Sequence, residues 1–483
     1  MTKILLINPT QVSKDVPVAS DIPPLGLCYL SSVLKESGYK NILGIDLQKD
    51  SENNFIKDFK TADIAGIHVT SKLKSDAERL CKKLRRLNKN LLIVVGGPHA
   101  TIAPKEIISQ DAVDIVVQGE GEYAFLEIVQ AIENDTSLAD VKGIWFKDKG
   151  NVRFSQPRHW LKNLDQLPFP DRDIFDANRY KTYLLYPPFI SLMATRSCPF
   201  NCTNCQPALK QIAGPYRMRS SKNIVSEIKD VIKRYGYRNF WFNDNDLVIS
   251  KVWTMKLCQE MIKEKLRIQW GCAARISSVD RELLKMMKKA GCITIHFGVE
   301  FGVQRVIDEV LKKGISIQRA KKVLENATKI GLRTNCFYMC GIPGSTKEEE
   351  YESIRVAKTL KTNSISMQVT QPQENIEMTR TCKEKGWLLP HSTRDLDGKE
   401  SFFRTPEWGP EFIRKFTKWI IKEFDKEGWT ADETLVFRNI KVDVRKNFII
   451  FVGREFLTFL KDFKLNRIKW IFRGIKYKIK YLL

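Results

Sequence analysis

Cys198, Cys202 and Cys205 close the run Ala194-Thr195-Arg196-Ser197-Cys198-Pro199-Phe200-Asn201-Cys202-Thr203-Asn204-Cys205, directly after an apolar, strand-like stretch. Three thiolates within eight residues can wrap one face of an iron–sulfur cluster, each taking one iron. A closed structural cluster or a zinc site needs a fourth ligand. The next cysteine is Cys258, and no histidine lies nearby. Three ligands therefore leave one iron open, able to bind and reduce a substrate or cofactor. The competing reading is a zinc knuckle, or three cysteines without a common task.

Two α/β patterns flank and carry this motif. Over the first ~150 residues, short β-rich runs alternate with helical stretches, the rhythm of a parallel sheet. Strands are expected at Ile4–Ile7, Ile42–Ile45, Ile64–Val69, Leu91–Val95 and Ile115–Val117. Ala77, Leu80, Cys81, Leu84 and Leu87 share one helical face, with basic residues largely on the other. Five strands with crossover helices describe a doubly wound, Rossmann-like domain that binds its ligand beyond the carboxyl ends of the strands. Those ends read Thr70-Ser71-Lys72-Leu73, Gly96-Gly97-Pro98-His99 and Gly119-Glu120-Gly121-Glu122. Glycines there let the backbone approach a bulky ligand, although any one of them could be a plain turn residue.

Residues 151–185 read as a linker, because Leu167-Pro168-Phe169-Pro170 blocks regular structure. From 186 to 400, apolar runs recur at Phe189–Ala194, Asn239–Phe242, Ile268–Cys272, Ile293–Val299, Thr334–Met339 and Ser364–Val369. Six such repeats predict an open, partial (β/α)6 TIM-like barrel with its reacting groups at the carboxyl ends of the strands. Residues 401–483 read as a helical, aromatic and basic C-terminal region.

Cys-x3-Cys-x2-Cys at the end of a first barrel strand resembles the radical S-adenosylmethionine superfamily. The resemblance implies a 4Fe-4S cluster whose open iron chelates the amino and carboxylate groups of S-adenosylmethionine. Reductive cleavage would then give a 5′-deoxyadenosyl radical that abstracts hydrogen, with electrons from an external donor such as flavodoxin or ferredoxin. It further implies cofactor contacts at Phe200, Asp244, Arg275 and Glu300. Asp244, with Asp246 as second choice, ends the second strand, where the family places an acid near the amino group. Arg275 follows the third strand and could meet a carboxylate through both arms of its fork. Gly298-Val299-Glu300 is similar to a family Gly-x-Glu-Ser segment, with Phe301 in place of the hydroxyl residue. Lys313-Gly314 and Gly341-Ile342-Pro343-Gly344 match in place and type, whereas Asn204 stands where the family often has an aromatic.

The N-terminal region resembles the cobalamin-binding domain fused to many of these enzymes, so the resemblance spans roughly residues 1–400. It rests on Ser71-x-Leu73, Gly96-Gly97, Gly119-Glu120-Gly121-Glu122 and the Leu-Pro-Phe-Pro-Asp-Arg-Asp segment at 167–173. It implies cobalamin contacts at Ser71, Leu73, Gly96, Gly97, His99, Gly119 and Glu120. The family's Asp-x-His-x-x-Gly motif is replaced by Asn8-Pro9-Thr10-Gln11, so cobalamin would be held without a lower histidine ligand. His99 is expected as a loop contact and His68 as a core residue. Cys28 and Cys81 lie too far apart for the second cluster of methylthiolating transfer-RNA enzymes.

Composition sets the frame. The 483 residues, with 43% hydrophobic and 28% charged side chains, are globular and too many for one core. Eleven cysteines, an odd number and mostly isolated in apolar runs, argue against a disulfide framework and for a reducing cytoplasm. No leader pattern and no stretch of the ~18 apolar residues needed to span a bilayer are evident. The net charge of +24 is concentrated at the end, where residues 438–483 hold thirteen Lys or Arg against three Asp or Glu, interleaved with aromatics. That pattern suits peripheral contact with an anionic membrane at its inner face, or a basic helical cap on the barrel. Nucleic acid is a weaker fit, since no recognised binding module is present.

The function expected is a cobalamin-dependent radical enzyme that methylates an unactivated carbon of a small-molecule or lipid substrate. A radical cyclase or oxidase using cobalamin without methyl transfer, and a non-catalytic cobalamin or redox sensor, are the alternatives.

Overall fold

The computed structural model describes residues 2–10, 22–180, 189–205, 214–391, 400–431 and 436–439. Five parallel strands open the chain: β1 (Ile4–Asn8), β2 (Ile42–Asp46), β3 (Ile64–His68), β4 (Leu92–Gly96) and β5 (Ile115–Val117). Their order in the sheet is β2-β1-β3-β4-β5. Strand β1 is buried along its whole length, the signature of a parallel strand covered on both faces. One face packs Ile4 and Leu6 with Val33 and Phe125; the other packs Leu5 and Ile7 with Leu80 and Leu84.

The sheet runs past the expected boundary at 150. Strands β6 (Ile144–Asp148) and β7 (Asn151–Phe154) add an antiparallel hairpin beyond β5. β7 is exposed throughout, so its sequence carries no buried face to betray it.

The segment after it is a staple between domains. Asp171 accepts from Ser31 Oγ at 2.6 Å and pairs with Lys35 at 2.7 Å on the N-terminal domain. The next residue, Arg172, donates to Glu227 at 2.5 Å on the barrel. Adjacent residues thus grip opposite sides.

The second sheet contains β8 (Ile190–Leu192), β11 (Asn239–Phe242), β12 (Gln269–Ala274), β13 (Cys292–Glu300), β14 (Arg333–Cys340) and β15 (Ser364–Val369), adjacent and parallel in the order β8-β11-β12-β13-β14-β15. Between β8 and β11 lie two short strands, β9 (Thr195–Arg196) and β10 (Arg217–Met218), which pair with each other. The crossover helices are set by local signals. Ser220 caps Ser221–Tyr235, which ends at left-handed Gly236, and Thr346 with Glu349 forms a capping box on Lys347–Lys358. Residues alternate along each strand: Cys336, Tyr338 and Cys340 join the core beneath the helices, leaving Asn335, Phe337 and Met339 for the lumen.

The C-terminal region is helical only in part. Helix Pro410–Lys426 buries Ile413, Phe416, Ile420 and Phe424. It is followed by β16 (Trp429–Ala431) and β17 (Val436–Asn439); β17 extends the barrel sheet antiparallel to β15, and β16 pairs antiparallel with β17. Phe437 stacks on Phe424 at 4.1 Å and Trp429 meets Phe424 edge-on at 5.3 Å, so this short pair is held by aromatic contacts to one residue rather than by a periodic pattern. Residues 440–483, with most of the basic aromatic segment, lie outside the described residues. No helix among the described residues is long and apolar enough to cross a membrane.

Candidate active site

The cysteine loop leaves the carboxyl end of β8 and is pinned on three sides. Asp244, from the loop after β11, accepts from the Ala194 amide at 3.0 Å, from the Thr195 hydroxyl at 2.7 Å and from the Thr195 amide. Ser197, whose φ of 73° lies in the left-handed region, donates its hydroxyl to the Gly214 carbonyl at 2.8 Å. Thr203 donates its hydroxyl to Val310 O at 2.7 Å and its amide to Leu311 O at 3.1 Å.

Cys198, Cys202 and Cys205 are partly exposed, whereas the other eight cysteines are buried. Burial pushes the Cys205 thiol up to about 12, against the opposing pull of Lys313, and raises Cys198 as well. The spread of the three argues for a cluster over zinc. One tetrahedral zinc needs sulfurs about 3.8 Å apart, given Zn–S bonds of about 2.3 Å. Among the described residues, the trio of His, Cys, Asp or Glu with ligand atoms all within 4.8 Å is His99, Glu106 and Glu374, not the cysteines. At least one pair of the three sulfurs is thus further apart than 4.8 Å, which suits separate irons of a 4Fe-4S cluster better than one zinc. The residues present fit that group.

Around the loop, Arg275 stacks over Phe200 at 3.9 Å and donates to Cys202 Sγ at 3.6 Å. Glu300, at a positive φ of 69°, pairs with Lys313 at 2.5 Å. The two acids expected near the cofactor amino group separate clearly. Asp244 is occupied by the loop's backbone. Asp246 is 4% exposed, uses Oδ1 on the Val248 amide at 3.1 Å, and leaves Oδ2 buried without a hydrogen-bond partner. Burial pushes its carboxyl up to about 6, opposed by the Val248 and Arg275 backbone amides and then by the Arg275 and Lys313 charges. A buried, unpaired carboxylate oxygen beside the cysteines is an acceptor awaiting a donor.

At the carboxyl edge of the first sheet lies an apolar cavity of about 330 Å³, walled in part by Gly66, Gly96, Gly97, Gly119 and Gly121 and closed by Trp160. A larger chamber of about 1010 Å³, sharing Pro98 with it, opens between the two domains. Ser71 lines the chamber. Leu73 and His99 are buried and line neither cavity. His99 meets Ser71 Oγ through Nδ1 at 3.1 Å, so it acts beneath the surface by fixing Ser71. Glycine walls and a chamber of this volume fit a broad, flat corrin with an apolar appendage.

Gly97 sets the shape of this edge. Its φ is +110°, and an added Cβ would fall 2.8 Å from Val69 O and 2.9 Å from His68 Nδ1. At Gly96 the nearest atom to an added Cβ is 3.8 Å away. Gly97→Ala is therefore expected to weaken cobalamin retention by about tenfold or more, through left-handed strain plus the clash. Gly96→Ala should retain cobalamin. Absorbance after gel filtration measures both.

Glu120 and Glu122 connect the two sites. Arg196, two residues before Cys198, donates to Glu120 at 2.6 Å and to Glu122 at 2.5 Å, and Arg217 meets Glu120 at 2.9 Å. Burial would raise Glu122, but the Arg196 guanidinium outweighs it and holds the carboxyl below its usual range. Glu120 thus lines the smaller cavity while bracing the cysteine loop. Sequence reading missed Arg196, Arg217 and Trp160, which no local pattern distinguishes from ordinary surface residues.

Comparison with known proteins agrees with this geometry. Residues 16–129 match the B12 binding domain model and residues 192–357 the radical SAM superfamily model. The chain is 31% identical over 422 residues to an uncharacterised methyltransferase of Pyrococcus horikoshii, covering 86% of this chain and 91% of that one. It is 27% identical over 468 residues to the anaerobic magnesium-protoporphyrin IX monomethyl ester cyclase of Cereibacter sphaeroides, covering 88% and 75% respectively. The fold superposes with a TM-score of 0.66 and 17% identity on the radical S-adenosylmethionine methyltransferase TsrM of Kitasatospora setae, solved with cobalamin and a 4Fe-4S cluster, covering 80% of this chain and 75% of that one. The chain belongs to the radical S-adenosylmethionine enzymes that carry an N-terminal cobalamin-binding domain.

Proposed function

We propose that this enzyme transfers a methyl group to an unactivated carbon, with the chamber between the domains as the place of reaction. The observation that carries the reading is the chamber itself: one wall is Thr70, Ser71 and Pro98, beside the glycine-lined cavity of the first sheet, and another reaches Gln368 at the end of β15. When bound, the cluster and S-adenosylmethionine supply the hydrogen-abstracting radical, and cobalamin supplies the methyl group. Cys198, Cys202 and Cys205 would hold the cluster. Arg275 and Phe200 would cover it, and Asp246 Oδ2 would accept from the ammonium group of S-adenosylmethionine. Glu300 and Lys313 neutralise each other nearby, which keeps the pocket floor from presenting a bare charge. Ser71, Gly96, Gly97 and Gly119 would form the edge against cobalamin.

The Asp246 assignment separates from Asp244 by experiment. Asp246→Asn should weaken S-adenosylmethionine binding by about tenfold while iron content stays whole, because one charge-assisted hydrogen bond is lost. Asp244→Asn should instead lower iron content, because it frees the start of the cysteine loop. Equilibrium binding of S-adenosylmethionine and iron analysis measure the two effects.

The resemblance to the Cereibacter cyclase keeps a cyclisation without methyl transfer as a second reading. Products distinguish them: methylation forms S-adenosylhomocysteine together with 5′-deoxyadenosine, whereas cyclisation forms only the latter. Contact between the basic segment and a membrane, and a lipid acceptor, belong to the same proposal.

A further inference from the structure

Among the described residues that line the chamber, four cations, Lys72, Lys105, Arg380 and Lys383, stand against two acids, Glu106 and Glu374. Arg380 and Lys383 stand three residues apart on helix Glu377–Glu384 and line its barrel wall, while Lys72 lines the wall from the N-terminal domain. Among the described residues, none of these three side chains has an ion pair or hydrogen bond. The acids of the chamber are already engaged, since Lys74 pairs with Glu106 and lies 3.9 Å from Glu374.

The chamber also leads toward the cluster. Gln368 lies opposite Met339 in the β14–β15 register, and Asn204, the neighbour of Cys205, donates to Met339 Sδ at 3.4 Å. On the same lumen face, Phe337 is 37% exposed and meets the His296 ring edge-on at 5.5 Å. Three cations without an ion pair among the described residues exceed what one carboxylate needs. A phosphate monoester carries about −1.5 to −2 at neutral pH, and its oxygens match the arginine fork.

We propose that the acceptor molecule bears a phosphate or diphosphate, which docks on Arg380, Lys383 and Lys72 while its apolar part passes Gln368 to Phe337. This rests on the transferase reading and names its acceptor class.

The test titrates inorganic pyrophosphate into the full chain, with cluster and hydroxocobalamin loaded, by calorimetry. Wild type should bind saturably, and Arg380→Gln with Lys383→Gln should weaken binding by about tenfold or more. Lys285→Gln with Lys289→Gln, an exposed pair elsewhere, should leave it unchanged. Iron content and retained cobalamin, measured on each variant, must match wild type for the comparison to count; Lys383→Gln alone, with a smaller loss, serves if the double variant fails to fold. Absence of pyrophosphate binding, or equal binding by wild type and the Arg380 and Lys383 variants, overturns the proposal. So does pyrophosphate binding only when cobalamin is absent, which would assign the cations to the cofactor's own phosphate. Loss of binding in the variant beside a failure to form S-adenosylhomocysteine would leave the anion site standing and remove the methyl-transfer reading.

Discussion

Anaerobically reconstituted protein in which Cys198, Cys202 and Cys205 are all alanine is expected to hold no cluster and to cleave no S-adenosylmethionine, with turnover reduced by a factor on the order of 10³ or more. The loop offers these three thiols and no substitute, since the remaining cysteines are buried in cores. Cys81→Ala and Cys382→Ala should change neither iron content nor cleavage, costing only stability. Any single replacement in the motif should already be severe, because two thiolates leave the cluster a second open iron. Iron and sulfide analysis with cluster absorbance checks the first effect, and 5′-deoxyadenosine formation the second.

The other large effect is structural. Glu227 is fully buried and accepts from Arg172 at 2.5 Å and from Arg219 at 2.5 Å. Arg219 also donates to the Met193 carbonyl at 3.0 Å, just upstream of the cysteine loop. Glu227→Ala would leave two guanidinium groups buried without their counter-ion, a loss of about 3–5 kcal/mol. The first denaturant transition should move to clearly lower concentration, and cluster retention should fall with it. Glu227→Gln, which keeps acceptors but not charge, should lie between. An unchanged transition in the alanine variant would show that the ion triad is not what ties the linker to the barrel.

The sequence carried the parallel strands well because burial on both faces writes continuous apolar runs, as at Ile4–Asn8 and Asn239–Phe242. It carried the cluster motif because three ligands to one group must be close in the chain. It did not reveal β7, whose residues are all exposed, or the strand pair after Gly428, which is held by Phe424 against Phe437 and Trp429. Nor could spacing choose between Asp244 and Asp246. Both lie after the same strand, and only the fold shows that the first holds Ala194 and Thr195 while the second keeps an oxygen free. The segment at 167–173 read as a linker because prolines dominate it. Its role as a staple depends on Ser31, Lys35 and Glu227, residues remote in sequence. His99 is likewise expected as a loop contact, yet it lies in the short helix Pro98–Ile102 with its ring buried behind Ser71.

The central claim is that this chain couples radical cleavage of S-adenosylmethionine to methyl transfer through cobalamin. The most direct measurement loads the full chain with cluster and hydroxocobalamin. It then adds reductant, S-adenosylmethionine bearing a trideuterated methyl group, and a small-molecule extract under anaerobic conditions. The account predicts 5′-deoxyadenosine and S-adenosylhomocysteine together, with the trideuterated methyl recovered on an extract product, and none of these from the triple cysteine variant. Formation of 5′-deoxyadenosine alone, without labelled product or S-adenosylhomocysteine, would contradict the methyl-transfer reading; formation of neither would contradict the account as a whole.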